Sequence, residues 1–239
     1  MLNKNIIEKL AIKYQTSYKN VSREYIQNLF LRSFYTKDGS ENFLFKGGTA
    51  LRIAFKSPRF SEDLDFSGYK NGGTYEKVLE AVLFDLVSEG LDVDIEESKA
   101  TSGGYLANIT VNFEGEKITI KNQISFRNKK DKKLENILIY SDFVPSYNMF
   151  LLDRSIIVAE KINALIERAK PRDFFDLHFI LRNPDLRKNV EIDDGQREKI
   201  LKNINSQDKK YLGSELKNLL PKSFWVLIKD LPSALKRDI

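Results

Sequence analysis

The spacing of apolar and polar residues divides the chain into a part with both helices and strands and a part with helices alone. Helical spacing predicts helices over residues 3–18, 22–35 and 74–89, and Gly90 ends the last of them. Strict alternation, which is typical of strands with one covered face, occurs over residues 91–97, 105–113 and 117–126. Beyond Leu152 the pattern is helical, with a break at Pro171. The pattern predicts an α+β fold, with a sheet flanked by helices in residues 1–152 and a helical C-terminal region in residues 153–239.

The most informative stretch is residues 43–66. Its apolar start, residues 43–45, predicts a short buried strand, and Gly47 and Gly48 predict a sharp turn where the backbone can approach a ligand closely. A helix can begin at Thr49, so its first N–H groups and the Thr49 hydroxyl are suitable donors for phosphate oxygens. We therefore expect Gly47, Gly48 and Thr49 to bind a triphosphate.

Two aspartates follow Gly48, the first of them fifteen residues later. Residues 61–66 predict a second strand in which Asp63 and Asp65 share one face, while Leu64 and Phe66 enter the core. Neighbouring carboxylates repel each other unless a cation lies between them, and Mg²⁺ or Mn²⁺ prefers oxygen ligands and binds phosphates. Asp63 and Asp65 are therefore the predicted metal ligands and catalytic residues.

Composition narrows the chemistry further. The 239 residues contain no cysteine and one histidine, His178, which excludes disulfides and thiolate metal sites and disfavours a zinc centre or a Ser-His-Asp triad. A net charge of +5 is compatible with a nucleic-acid partner. The N-terminus has no signal-peptide pattern, and no apolar run approaches the roughly 18 residues of a membrane span, so we expect a cytoplasmic protein without a membrane partner.

The residues from Phe43 to Phe66 resemble the AbiEii family of nucleotidyltransferase toxins, whose motif is GG[ST] followed by R-x-S-x-D-[IL]-D. Arg59 and Ser61 fill the first two fixed positions of the second part. The family is similar in fold and chemistry to the polymerase-beta-like superfamily and includes toxins of toxin–antitoxin and abortive-infection systems. The resemblance implies a mixed sheet of that type, an NTP substrate contacted by Arg59 and Ser61, and a cognate antitoxin.

The resemblance resumes at EKINALIERAKPRDFFD, which matches the family segment E-K-x-x-A-x-x-x-R-x-K-x-R-D-x-x-D. From the residues alone, a helical hairpin with surface ion pairs, such as Arg172 with Asp176, is the favoured interpretation of the segment. The resemblance instead implies that Lys161 and Asp176 are required for activity. Lys161 would reach the nucleotide phosphates, and Asp176 would be a metal ligand, a lysine-orienting group or a base. Arg172 and Asp173 would contribute to nucleotide binding.

One feature departs from the wider superfamily, which usually has a third carboxylate on the strand beside the paired aspartates. The candidate strand offers Thr119, Lys121 and Gln123, none of them acidic. The absence of this acid disfavours a symmetric two-metal site, although a second ion could bind if other oxygens complete its ligands. Asp173, Asp176 or the substrate phosphate would supply the missing oxygen.

The resemblance implies that tRNA is the acceptor, because family members add nucleotides to the tRNA 3′ end and so block aminoacylation. A basic cluster could be a solvated loop or an RNA contact; it consists of Arg127, Lys129, Lys130, Lys132 and Lys133. Nucleotidylation of a protein side chain and a catalytically silent scaffold that binds nucleic acid or antitoxin are the alternatives. A γ-phosphoryl kinase is disfavoured because no kinase or Walker motif is present.

Overall fold

The computed structural model describes residues 1–69, 72–126 and 134–239. The basic cluster predicted between Arg127 and Lys133 lies outside the described residues. The chain divides into two compact units, one containing Met1–Lys56 and Phe60–Leu152, the other containing Ser57–Arg59 and Asp153–Ile239. The second unit therefore includes three residues that precede the paired aspartates in sequence.

A mixed sheet forms the centre of the first unit. Its described strands are β1 (Phe43–Lys46), β2 (Leu64–Gly68), β3 (Asp92–Thr101), β4 (Gly104–Phe113), β5 (Glu116–Ser125), β6 (Leu134–Ile139) and β7 (Tyr147–Leu152). Their order is β3-β4-β5-β2-β1-β7-β6. Strand β2 is parallel to β5 and antiparallel to β1, and β1 is parallel to β7. The predicted α+β fold with a mixed sheet is confirmed.

Four described helices belong to the first unit: α1 (Lys4–Lys13), α2 (Tyr18–Phe34), α3 (Gly47–Ile53) and α4 (Gly72–Ser88). The predicted boundary between the first two was wrong. Gln15 has a positive φ of 52°, which interrupts the helix, and the Ser17 side chain accepts a hydrogen bond from Asn20 N, which caps the next helix at its start.

Helix α2 is buried along most of its length and packs against β5, β7 and α4. Its apolar side chains, among them Phe30 and Phe34, belong to an aromatic cluster with Phe66 and Tyr75. The helix also buries several polar side chains: Asn20, Ser22, Arg23, Glu24, Gln27, Asn28 and Ser33. Some of these side chains bond to neighbouring helices: Ser33 Oγ donates to Asp85 Oδ2 of α4, and Glu24 accepts from Arg52 Nε of α3.

The second unit is helical in its described residues, as predicted. Its helices are α5 (Arg154–Glu167), α6 (Pro171–Arg182), α7 (Pro184–Arg187), α8 (Asp194–Ser206), α9 (Lys209–Leu219) and α10 (Trp225–Asp238). The Asp153 side chain caps α5 by accepting from Ser155 N, and Pro171 occupies the first turn of α6, where a missing N–H is harmless. Within the described ranges, none of the helices has both the length and the apolar character to span a membrane.

Candidate active site

The paired aspartates lie at the start of β2, in the middle of the sheet. In the ladder, Asp65 is opposite Lys46 of β1 and beside Gln123 of β5. Leu64 and Phe66 are completely buried, whereas the two aspartates are partly exposed. The predicted alternation of an acidic exposed face and an apolar core face is confirmed.

The glycine turn touches the second aspartate directly. Gly47 has a φ of +84°, and a Cβ added to it would lie 2.2 Å from Asp65 Oδ2 and 2.8 Å from Asp65 Cβ. Glycine is therefore required at position 47 for two reasons, because L side chains rarely adopt this φ and because the Asp65 side chain occupies the space. The glycine turn and the Asp65 carboxylate are therefore direct neighbours.

The strand begins later than predicted. Residues 61–66 were expected to form it, but β2 starts at Leu64, so Asp63 immediately precedes the strand. The reason is that side chains, rather than a neighbouring strand, hydrogen-bond the carbonyl groups of this segment. Gln27 Nε2 donates to the carbonyls of Ser61 and Glu62, and Thr49 Oγ1 donates to the carbonyl of Asp63.

Thr49 consequently has a different role from the one expected for its side chain. The residue is completely buried, and its hydroxyl donates to the Asp63 carbonyl over 2.5 Å. A hydroxyl has a single proton, so the group that we expected to bind phosphate holds the acidic segment instead. Ser61 is partly exposed and contributes its carbonyl to the same arrangement.

A pocket of about 310 Å³ opens beside Asp65. Its lining includes two lysines, Lys46 and Lys121, together with Gln123 and the aromatic ring of Tyr105. Cationic side chains next to a carboxylate suit a ligand that carries both phosphate groups and a bound cation. Neither Lys46 nor Lys121 was among the predicted site residues, although Lys46 directly precedes the glycine pair.

Among the described residues, the candidate ligands for a divalent cation are two carboxylates, Asp63 and Asp65, without a third acid. On β5, the side chain nearest Asp65 is an amide, with Gln123 Nε2 3.4 Å from Asp65 Oδ1. In the part of the chain that the structure describes, no group of three His, Cys, Asp or Glu side chains could hold a metal ion. Mg²⁺ is commonly held by one or two carboxylates with substrate phosphates and water, which Asp63 and Asp65 can provide.

The second unit contains a buried carboxylate with two cations. Asp176 is 1% exposed; it accepts from Arg59 Nε over 2.6 Å, from Arg59 Nη2 over 3.0 Å and from Lys161 Nζ over 2.8 Å. The suggested pairing of Arg172 with Asp176 is therefore wrong. Arg59, predicted to contact the nucleotide, is 3% exposed and makes this ion pair instead.

The charges around Asp176 determine its protonation. Burial on its own would raise the pKa of this carboxyl, but the charges and hydrogen bonds of Arg59 and Lys161 outweigh burial and lower the pKa to about 2. Asp176 is thus ionised at neutral pH and holds the Lys161 ammonium in place. Of the three roles that the family motif leaves open for Asp176, this geometry supports lysine orientation.

Asp173 has its own partners in the same unit. It is completely buried, and its two oxygens accept from Arg168 Nη2 and Nε and from Lys170 N. The bond from Lys170 N caps α6 at its start, and the bonds from Arg168 form an ion pair, so neither Asp173 nor Asp176 presents an unoccupied carboxylate. Arg172 Nε is buried without a hydrogen-bond partner among the described residues. The nucleotide contacts expected of Arg172 and Asp173 stay predictions.

The mixed sheet, the glycine turn and the acidic strand start place the chain in the nucleotidyltransferase class of enzymes. The family model "Nucleotidyl transferase AbiEii toxin, Type IV TA system" matches residues 29–227. The chain therefore belongs to the AbiEii nucleotidyltransferase toxin family. Membership implies an NTP substrate and a cognate antitoxin.

Solved structures of other proteins share the fold of this chain. MenT4, a nucleotidyltransferase toxin from Mycobacterium tuberculosis H37Rv, is 15% identical with a TM-score of 0.66, covering 99% of this chain and 90% of that one. JHP933 from Helicobacter pylori is 20% identical with a TM-score of 0.57, covering 93% of this chain and 94% of that one. A comparison with curated proteins found no match. At these identities the likeness to solved structures establishes the fold alone.

Proposed function

We propose that the protein is a Mg²⁺-dependent toxin that transfers a nucleoside monophosphate from an NTP to the 3′ end of tRNA. The observation that carries the proposal is the contact between the glycine turn and the Asp65 carboxylate, beside a pocket lined by Lys46 and Lys121. The turn and the acid must be neighbours if the turn is to bind the phosphates of an NTP while the acid holds the cation bound to the same phosphates.

In the proposed reaction the acceptor hydroxyl attacks the α-phosphorus in line, and the bond to the bridging oxygen of the leaving pyrophosphate breaks. Charge develops on phosphoryl oxygens, so catalysis consists of positioning and electrostatic stabilisation. Asp63 and Asp65 would hold the cation, Mg²⁺ or Mn²⁺, which would neutralise charge on the phosphates when bound. Gly47, Gly48 and the Thr49 backbone would bind the phosphate tail.

For the second unit we retain phosphate binding as the role of Lys161. Its ammonium has three protons, of which Asp176 accepts one. Asp176 and Arg59 would act through Lys161 by fixing its position and keeping it charged. This assignment differs from the first expectation for Arg59, which was direct contact with the NTP.

The choice of tRNA as acceptor is supported by the family to which the chain belongs and by the net charge of +5. Extending the 3′ end would prevent aminoacylation and so block translation, which would explain toxicity and the need for an antitoxin. NTPs and tRNA are both abundant in the cytoplasm, where we propose that the reaction takes place.

The test uses NTPs labelled at either the α- or the γ-phosphate, incubated with the protein, Mg²⁺, bulk tRNA and cell protein. We expect α-label on RNA, abolished by EDTA and by Asp65→Ala. The α-label on protein would instead identify a protein nucleotidyltransferase, and γ-label a kinase. Absence of transfer with every NTP would favour the silent scaffold, which the amide of Gln123 in place of a third acid also favours.

A further inference from the structure

Three consecutive carbonyl groups before β2 are bound by side chains from two helices. Gln27 Nε2, on α2, donates to the carbonyl of Ser61 over 3.1 Å and to that of Glu62 over 3.0 Å. Thr49 Oγ1, on α3, donates to the carbonyl of Asp63. We call residues 61–63 with these three hydrogen bonds the carbonyl clamp.

The clamp matters because the sheet does not hold this segment. The ladder between β2 and its neighbours begins at Leu64 beside Asn122 and at Asp65 beside Lys46 and Gln123. Asp65 therefore has its backbone fixed by two strands, whereas Asp63 lies just outside the ladder. Side-chain hydrogen bonds supply the order that the strand pairing does not.

Gln27 is well suited to this task. It is 1% exposed, and the two protons of its amide nitrogen serve two successive carbonyls. A second contact from the same helix, Arg23 Nη1 to Glu62 Oε1 over 2.8 Å, holds the same segment. A side chain without donors would leave two carbonyls to be hydrated, and the segment would have to move to admit water.

We propose that Gln27 is a positioning residue for the metal site: through the carbonyl clamp it fixes Asp63 for cation binding. The inference rests on the proposed function insofar as it takes Asp63 to be a metal ligand. Gln27 lies before residue 29, where the match to the family model begins, so family membership does not assign it a role.

The test compares Gln27→Met, which keeps the length of the side chain and removes its donors, with Asn28→Leu. Asn28 is a suitable control because it is also a buried amide of α2, 2% exposed, and it donates to the Glu24 carbonyl and accepts from the Tyr147 hydroxyl, away from the clamp. Both variants lose buried hydrogen bonds. Only Gln27→Met loses two of the three hydrogen bonds of the clamp.

Two measurements are made on the full-length protein. Mn²⁺ binding is followed by electron paramagnetic resonance with a non-hydrolysable NTP analogue, and hydrogen–deuterium exchange is followed at the peptide covering residues 61–65. For Gln27→Met we expect about a 10–100-fold loss of Mn²⁺ affinity, the usual effect of removing a group that orients a metal ligand, and faster exchange. For Asn28→Leu we expect wild-type values in both.

A double variant links the effect to Asp63. Because Gln27 acts through Asp63, Gln27→Met should weaken Mn²⁺ binding no further once Asp63→Asn is present. Equal Mn²⁺ affinity and equal exchange in wild type and Gln27→Met would overturn the inference. An additive loss in the double variant would also overturn it. If wild type binds no Mn²⁺, the proposed metal site fails, while the exchange data still decide whether Gln27 orders residues 61–63.

Discussion

At the residue scale, the Asp176 carboxylate of the second unit is fixed in position and in charge by its surroundings. Water is excluded from it, and Arg59 and Lys161 supply three hydrogen bonds and two positive charges. A buried ion pair contributes little net stability compared with apolar side chains of the same size in its place. Removing only the acid or only the base is costly, however, because the remaining charge is then buried and unpaired.

We therefore predict that Asp176→Asn lowers the free energy of unfolding by about 3–5 kcal/mol, because Arg59 and Lys161 lose their counter-charge. Lys161→Met should cost less, since Asp176 keeps both bonds to Arg59. Urea unfolding monitored by circular dichroism measures both values. An Asp176→Asn variant within 1 kcal/mol of wild type would show that the buried pair is not formed in solution.

The lowered pKa of Asp176 also predicts a pH dependence. Its folded-state pKa of about 2 lies below the ordinary value of 3.8, so its contribution to stability is complete above about pH 4 and is lost as the pH falls towards 2. The amount is about 2 kcal/mol. The difference in unfolding free energy between wild type and Asp176→Asn should therefore be constant from pH 5 to 7 and shrink below pH 4.

At the element scale, the segment from β1 through α3 to β2 determines the geometry of the site. The chain leaves β1 at Lys46, turns at Gly47 and returns in β2 so that Asp65 lies against the turn. A Cβ added to Gly47 would overlap the Asp65 side chain, so it must displace the carboxylate.

Gly47→Ala tests this geometry, and Gly115→Ala is a matched control. Both glycines have nearly the same φ, +84° and +83°, but a Cβ at Gly115 meets nothing within 4 Å. Each variant should lose about 1 kcal/mol from the positive φ. Only Gly47→Ala should also lose nucleotidyl transfer. Comparable activity in the two variants would mean that Asp65 tolerates displacement.

The sequence predicted these elements well because their signals are local. The apolar run of β1, the glycine pair and the alternation around Asp65 each depend on neighbouring residues. The roles of Thr49, Arg59 and Gln27 were misread or missed because each depends on a partner distant in sequence: the Asp63 carbonyl, Asp176 and the carbonyls of residues 61 and 62. The available signal for Gln27 was its position next to Tyr25 and Ile26, in a helix predicted from its apolar face.

At the scale of the whole molecule, the second unit is not a continuous segment of the chain. It includes Ser57–Arg59, and Arg59 supplies one of the two cations that neutralise Asp176. A division of the chain at Leu152 alone, as the sequence pattern predicted, would separate Arg59 from Asp176.

We predict that a fragment of residues 153–239 is less stable than the same unit in the full chain, because Asp176 keeps Lys161 but loses Arg59. Chemical denaturation of the fragment, compared with full-length wild type and full-length Arg59→Met, measures the effect. We expect both to unfold at lower denaturant concentration than wild type. If the fragment and Arg59→Met both match wild type, then Arg59 does not stabilise the second unit.

The contact between Gly47 and Asp65 has a practical consequence. One methyl group at position 47 would inactivate the proposed enzyme by displacing Asp65, while the number of ionisable side chains stays the same. On the proposed function, this inactive variant could be produced in living cells without toxicity. Molecules that copurify with it would then include binding partners of the active protein.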